Sequence, residues 1–107
     1  YTNGDIAMFA VDADANKIWY GKNGTWFASG NPSSGTNASS NNLTSGVTWF
    51  PYVEKRNGTD VESFNFGNGY FGTTAIASAG TNASNIGVFE YDVPTGYTAL
   101  STKGLNN

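Results

Sequence analysis

Apolar and polar positions along this chain alternate in short bursts and do not recur every three or four residues. Ile6 to Val11 is an apolar run that ends in the polar turn Asp12-Ala13-Asp14-Ala15-Asn16. Lys17 to Gly21 reads as a strand, Lys22-Asn23-Gly24 as a tight turn, and Thr25 to Ala28 as the return strand. Asn-Gly tolerates the positive φ that a type I′ hairpin turn requires, so this hairpin is the best-defined local structure in the sequence. Val47 to Val53 is a further strand candidate, with Pro51 predicting an edge or a bulge because proline has no N–H for a ladder. After the turn Arg56-Asn57-Gly58-Thr59, the stretch Val61 to Phe66 places Glu62, Phe64 and Phe66 opposite Val61, Ser63 and Asn65, giving an aromatic and a polar face. Gly87 to Val93 and Tyr97 to Ser101 supply two closing strands around Pro94-Thr95-Gly96.

Two polar stretches interrupt this rhythm. Ser29 to Ser45 is rich in Ser, Asn, Gly and Thr, and Gly67 to Asn85 is a Gly/Ala/Ser/Thr-rich loop with Tyr70 and Phe71 near its start. Loops of that length in a small domain serve function or remain disordered more often than they merely connect. No capped helix of ordinary length is found. Short strands with frequent turn signals predict an all-β, antiparallel sandwich or barrel.

Composition narrows the picture. The 107 residues leave room for one domain, 1–107. Charged residues are 12% and aromatics 15%, the reverse of what a disordered chain carries. The net charge is −3, with five Lys plus Arg and no basic stripe, which excludes phosphate-driven nucleic-acid binding. Without Cys or His there is no disulfide, no thiolate metal site and no Ser/His or Cys/His nucleophile system. No apolar run approaches the roughly 20 residues of a membrane span, and the N-terminus shows no basic-then-apolar leader. Five Asn-x-Ser/Thr sequons begin at Asn23, Asn37, Asn42, Asn57 and Asn82, and in so polar a chain they carry no secretory inference.

The run Gly4-Asp5-Ile6-Ala7-Met8-Phe9-Ala10-Val11-Asp12-Ala13-Asp14, followed by Lys17-Ile18-Trp19-Tyr20-Gly21-Lys22-Asn23-Gly24-Thr25-Trp26, resembles the central hairpins of SPRY domains. Phe64-Asn65-Phe66-Gly67 is similar to that family's Asn-Phe-Gly strand end. Phe89-Glu90-Tyr91-Asp92-Val93-Pro94-Thr95-Gly96-Tyr97-Thr98-Ala99-Leu100, with its Gly104-Leu105-Asn106 tail, resembles the closing strands of SPRY-like domains in bacteriophage and environmental proteins. The resemblance spans nearly the whole chain and implies an antiparallel β-sandwich of the SPRY, concanavalin A-like jelly-roll type. It also implies several strands before Gly4-Asp5. The expectation is therefore a sandwich incomplete at its N-terminus, part of a longer polypeptide or completed by a partner chain, with open edges and apolar faces that invite assembly.

Several constellations bear on chemistry. Asp12-x-Asp14-x-Asn16 matches the opening of a calcium loop, but Lys17 and Ala28 stand where that loop needs Gly and a bidentate carboxylate, so a hairpin turn is expected and no metal site. Glu90-x-Asp92 puts two carboxylates on one strand face, as in glucanases of related architecture. The second Glu is missing, and a retaining glycosidase needs two carboxyls roughly 5 Å apart. A glucanase-type enzyme is thus the weakest reading, and no catalytic residue is assigned. Phe9, Ile18, Tyr20, Phe64, Phe66 and Phe89 are assigned to packing, with Trp19 and Trp26 supporting each other across the hairpin. Glu54-Lys55-Arg56 is expected to keep its turn solvated. Tyr70, Phe71, Trp49 and Tyr52 are the candidate ligand-binding residues.

The resulting expectation is a non-catalytic structural or binding module of a bacteriophage-type virion or appendage such as a tail fibre. It would work in assembly or host-surface attachment, without cofactor, on a virion or extracellular surface. Its partners would be other copies of itself, other virion or surface proteins, or a cell-surface glycan, with no nucleic acid and no membrane insertion. A lectin-like or peptide-binding module of a secreted or surface protein is the alternative.

Overall fold

The computed structural model describes residues 1–105 and is an all-β chain, built of strands and ordered loops with almost no helix. The first sheet is an antiparallel meander of β1 (Ala7–Asp12), β2 (Lys17–Lys22) and β3 (Thr25–Trp26). Register pairs Phe9 with Tyr20, Ala10 with Trp19 and Val11 with Ile18, then Gly21 with Trp26. The Asn23-Gly24 turn forms as its sequence dictates: both residues take positive φ, 49° and 86°, which only such residues adopt cheaply. A second, two-stranded antiparallel sheet joins β4 (Tyr70–Phe71) to β5 (Thr74–Ala75). A single helical turn, α1 (Thr102–Leu105), follows.

Side chains alternate across a strand, so β2 offers Lys17, Trp19 and Gly21 to one face and Ile18, Tyr20 and Lys22 to the other. The chain buries the first set. Trp19 is fully buried, its indole meeting Tyr97 edge-to-face at 6.3 Å and its Nε1 donating to the Thr36 carbonyl at 2.8 Å. The polar stretch after β3 forms the lid that makes this possible. Asn31 and Thr36 exchange backbone hydrogen bonds around a 3₁₀ turn at Pro32–Ser34, and the Lys17 ammonium donates to the Gly35 carbonyl. Ser40 then exchanges backbone hydrogen bonds with Ile18, and the Ser39 hydroxyl accepts from Tyr20 N–H. The loop thereby extends the place that the short β3 leaves empty beside β2.

Several expected strands do not form. β3 ends at Trp26 and passes into a 3₁₀ turn at Phe27–Ser29, where Ala28 and Ser29 are forced to positive φ. Val47 to Val53 and Val61 to Phe66 run without ladder partners, so Pro51 marks neither an edge nor a bulge. Gly87 to Val93 is reduced to one parallel bridge, Asn68 with Val88, and Tyr97 to Ser101 gives no strand before α1. The physical cause is shared: a strand exists only where a neighbour accepts its N–H groups in succession, and among the described residues these segments make at most isolated backbone hydrogen bonds, such as Val88 N–H to the Gly67 carbonyl and Val93 N–H to the Thr81 carbonyl. Conversely, Tyr70 and Phe71 lie on β4 of a tight hairpin, not on a loop.

The packing assignments reverse on the first sheet. Phe9, Tyr20, Phe64 and Phe66 are exposed, while Ile18 and Phe89 are half-buried. Among the described residues the buried apolar side chains are Ala10, Trp19, Ile86 and Ala99. Trp19 meets Tyr97 edge-to-face, with no ring contact to Trp26, which lies over Gly21 two residues along. The inner face is chosen by the lid, because only the odd positions of β2 lie beneath it.

Trp19 should therefore dominate stability. Trp19→Ala is expected to cost about 3–5 kcal/mol, from lost burial and the cavity left behind. Trp19→Phe keeps most of the volume but loses the Nε1–H hydrogen bond to the Thr36 carbonyl, which retains its Asn31 N–H donor, and should cost about 0.5–1.5 kcal/mol. Urea unfolding followed by far-UV circular dichroism measures both.

Candidate functional site: an open apolar sheet face

The face of the first sheet turned away from Trp19 carries Phe9 and Val11 from β1 and Ile18 and Tyr20 from β2. Register sets Phe9 directly against Tyr20 and Val11 against Ile18, so the four side chains form one contiguous apolar patch. Phe9 and Val11 are each 40% exposed and Tyr20 48%. Nothing among the described residues closes over it as the Asn31–Ser40 lid closes over the opposite side. β-branched and aromatic residues at paired positions are what a sheet uses to pack against a second layer.

A polar lock holds the end of this sheet. Asp5 accepts from the Thr2 N–H at 2.7 Å, the Thr2 hydroxyl at 3.2 Å, the Asn23 amide at 2.8 Å and the Lys22 ammonium at 3.3 Å. Asn23 completes it, its Oδ1 accepting from the Ile6 N–H at 2.8 Å. The chain before β1 is thus fastened to the tip of the β2–β3 turn. These donors, above all the Thr2 N–H, hold the Asp5 carboxyl far below the usual aspartate range.

More apolar surface lies on the segment between the lid and β4. Trp49, Phe50 and Tyr52 stand out into solvent, with Phe50 75% and Tyr52 73% exposed, and Trp49 is tethered only by its Nε1 to the Thr44 carbonyl at 3.0 Å. Glu54, Lys55 and Arg56 follow, fully solvated. Phe64 and Phe66 stack at 5.5 Å with planes 9° apart and border an open hollow of about 440 Å³ with Ile86, Asn68 and Lys103.

The sequence singled out Tyr70, Phe71, Trp49 and Tyr52 for binding. Tyr70 is exposed and Phe71 half-buried on β4, whereas Trp49 and Tyr52 lie on the unpaired segment. Among the described residues no hydrogen bond or ring contact joins one pair to the other, so the structure does not gather these four into one site. The patch at Phe9, Val11, Ile18 and Tyr20 was missed as a surface because alternation reveals two faces of a strand but not which one its own chain covers.

The carboxylate pair serves the backbone. Glu90 accepts from the Ala77 N–H at 3.4 Å and Asp92 from the Thr81 N–H at 2.7 Å, the latter with the Thr81 hydroxyl holding the Asp92 carboxyl below its ordinary value. Gly80 N–H to the Phe89 carbonyl and Val93 N–H to the Thr81 carbonyl complete this clasp. A Cβ at Gly80 would lie 2.4 Å from the Tyr91 carbonyl carbon, so only glycine permits the approach. Asp12 likewise accepts from the Ala15 N–H at 2.9 Å within the β1–β2 turn. Among the described residues no three His, Cys, Asp or Glu side chains gather as metal ligands, and no helix is long and apolar enough to cross a membrane.

Both depressed carboxyls tie folding to pH. A group whose value is lowered on folding stabilises the fold fully above its unfolded value, about 3.9 for Asp, and that contribution is lost as pH falls below it. The urea midpoint should drop as pH is taken below about 4. Asp5→Asn should lower the neutral-pH midpoint and flatten this acid limb, and Asp92→Asn should do so to a smaller degree. Urea titrations at several pH values measure both effects.

Comparison of the chain with family models, with curated proteins and with solved structures finds no match.

Proposed function

We propose that this chain is a non-catalytic structural and binding module: an SPRY-like β-sandwich of a bacteriophage-type virion or appendage, acting in assembly or host-surface attachment. In this reading its work is association, and the open face of the first sheet is closed by a β-layer from another copy of the same chain. The supporting observation is a surplus of surface. The chain exposes 7594 Å², whereas a folded monomer of 11.3 kDa is expected to expose about 5,700 Å². The surplus of roughly 1,900 Å² exceeds the roughly 800 Å² that each partner contributes to a standard interface. The exposed residues include the large apolar side chains Phe9, Val11, Tyr20, Trp49, Phe50 and Tyr52. An exposed apolar patch of this kind marks an interaction surface.

The placement of the carboxylates agrees with a non-catalytic role, since Glu90 and Asp92 are engaged with main-chain N–H groups. The resemblance of the Gly4-to-Trp26 and Phe89-to-Leu100 segments to SPRY-like domains of phage proteins supplies the setting. Low charge, 12% of residues, and a surface rich in Asn, Ser, Thr and Gly suit a module packed among repeated copies.

Sedimentation velocity across a dilution series tests the reading. The chain is expected to self-associate. Phe9→Ser combined with Tyr20→Ser should weaken that association at least about a hundredfold, because two central aromatic anchors are removed. An unchanged far-UV circular dichroism spectrum serves as the control that the double variant keeps its fold. A wild-type chain that stays monomeric at every concentration, indistinguishable from the double variant, overturns assembly through this face.

A further inference from the structure

The chain contains four Asn-Gly steps, at Asn3, Asn23, Asn57 and Asn68. At such a step the following nitrogen is unobstructed by a Cβ and can reach the asparagine side-chain carbonyl. Whether it does depends on whether three groups are free: the attacking nitrogen, the carbonyl, and the amide that must leave.

The structure treats the four steps differently. At Asn23 all three groups are engaged. Oδ1 accepts from the Ile6 N–H, Nδ2 donates to Asp5, and the Gly24 N–H points to the Met8 sulfur at 3.1 Å. At Asn68 the nucleophile is held, because the buried Gly69 donates its N–H to Asn65 Oδ1 at 3.3 Å while Asn68 Oδ1 accepts from Tyr70. At Asn3-Gly4 none of the three groups is hydrogen-bonded among the described residues, but the step lies at the centre of a turn closed by Asp5 N–H to the Thr2 carbonyl and tied again through the Asp5 carboxylate, which holds the backbone on either side. Asn57-Gly58 lies at the entry of its turn, where Asp60 N–H reaches the Asn57 carbonyl at 3.1 Å. The Gly58 N–H meets no acceptor among the described residues, and Nδ2 is likewise unheld. The one contact of the side chain is a long 3.3 Å hydrogen bond from Thr59 N–H to Oδ1, which polarises the carbonyl toward attack. Every residue from Thr44 to Phe64 is exposed, so water and base have access.

We infer that Asn57 is a spontaneous covalent modification site, at which the loop converts an amide into a carboxylate without an enzyme. The Gly58 nitrogen, losing its proton to solvent base, bonds to the Asn57 side-chain carbonyl carbon. The carbon–nitrogen bond to the side-chain amide breaks, and ammonia leaves with a solvent proton. Water then opens the cyclic imide at either carbonyl, giving aspartate or the β-linked isoaspartate. The net exchange is one water taken up for one ammonia released, and the formal charge moves from −3 to −4. The new carboxylate arrives beside Lys55 and Arg56, and the β-linkage adds a methylene to the main chain of the turn. This site stands independently of the assembly reading, since it uses none of the residues of the first sheet.

The test is an incubation of the folded protein in mildly alkaline buffer, with ion-exchange separation of acidic species and peptide mapping by mass spectrometry. Asn57 is expected to convert first, to both aspartyl and isoaspartyl forms, at least about tenfold faster than Asn23, whose conversion must first break its hydrogen bonds. In denaturant the two rates should converge. Gly58→Ala should suppress the reaction without disturbing the fold, because a Cβ there meets nothing within 4 Å and the Gly58 φ is outside the left-handed region. Conversion of Asn3, Asn23 or Asn68 at the rate of Asn57 in the folded protein overturns the inference. So does an Asn57 that stays intact when folded while converting readily in denaturant.

Discussion

The indole of Trp19 and the lid above it determine most of what is ordered in this chain. A residue of that size at the centre of β2 must find both apolar cover and an acceptor for its N–H. The Asn31–Ser40 loop and Tyr97 supply them together: the Thr36 carbonyl takes the proton and the Tyr97 ring meets the indole edge-on. Tyr97 in turn donates its hydroxyl to the Pro32 carbonyl at 3.3 Å, so the closing segment is fastened to the lid as well as to the core. One buried side chain thereby connects the first hairpin, the first polar loop and the end of the chain. The remaining buried apolar residues among those described, Ala10, Ile86 and Ala99, are few and small, which leaves the lid bearing a large share of the fold's cohesion.

How far the sequence disclosed this differs by element. The hairpin at Asn23-Gly24 was legible because two residue types fix its dihedral angles locally, and β1 and β2 appear within one residue of their expected limits. The segments Val47 to Val53 and Val61 to Phe66 have the same alternation yet stay unpaired, because pairing belongs to two segments and alternation reports only one. The choice of inner face was hidden for a related reason. Ile18 and Tyr20 look as suited to a core as Trp19, and the decision rests on a Ser- and Asn-rich loop whose main-chain carbonyls carry the information. The β4–β5 hairpin at Tyr70 to Ala75 was read as loop, since strands of two residues leave no pattern to detect.

The open face and the covered face of the first sheet obey the same requirement with different outcomes. On one side polar loop backbone serves as the cover, and on the other Phe9, Val11, Ile18 and Tyr20 face solvent in register. A two-layer β architecture buries one face of each sheet against the other. The unpaired segment with Trp49, Phe50 and Tyr52 adds further apolar area close in chemistry to that patch. Packing that surface against another sheet would give these residues the role their composition suits, and would supply neighbours to segments that alternate but do not pair.

Much of the lid is bound through its main-chain atoms: Asn31 with Thr36, Gly35 with Pro32, Ser40 with Ile18, and the carbonyls of Gly35 and Thr36 with Lys17 and Trp19, while the side chains of Asn31, Ser34 and Ser39 add hydrogen bonds of their own. Side chains such as Ser33 on the lid and Asn41 just beyond it are exposed and make no hydrogen bond among the described residues. Their identities can therefore drift without the core registering the change. A molecule built this way separates the part that must be inherited unaltered from the part that can diversify, and it can present a new outer chemistry in each lineage on an unchanged frame.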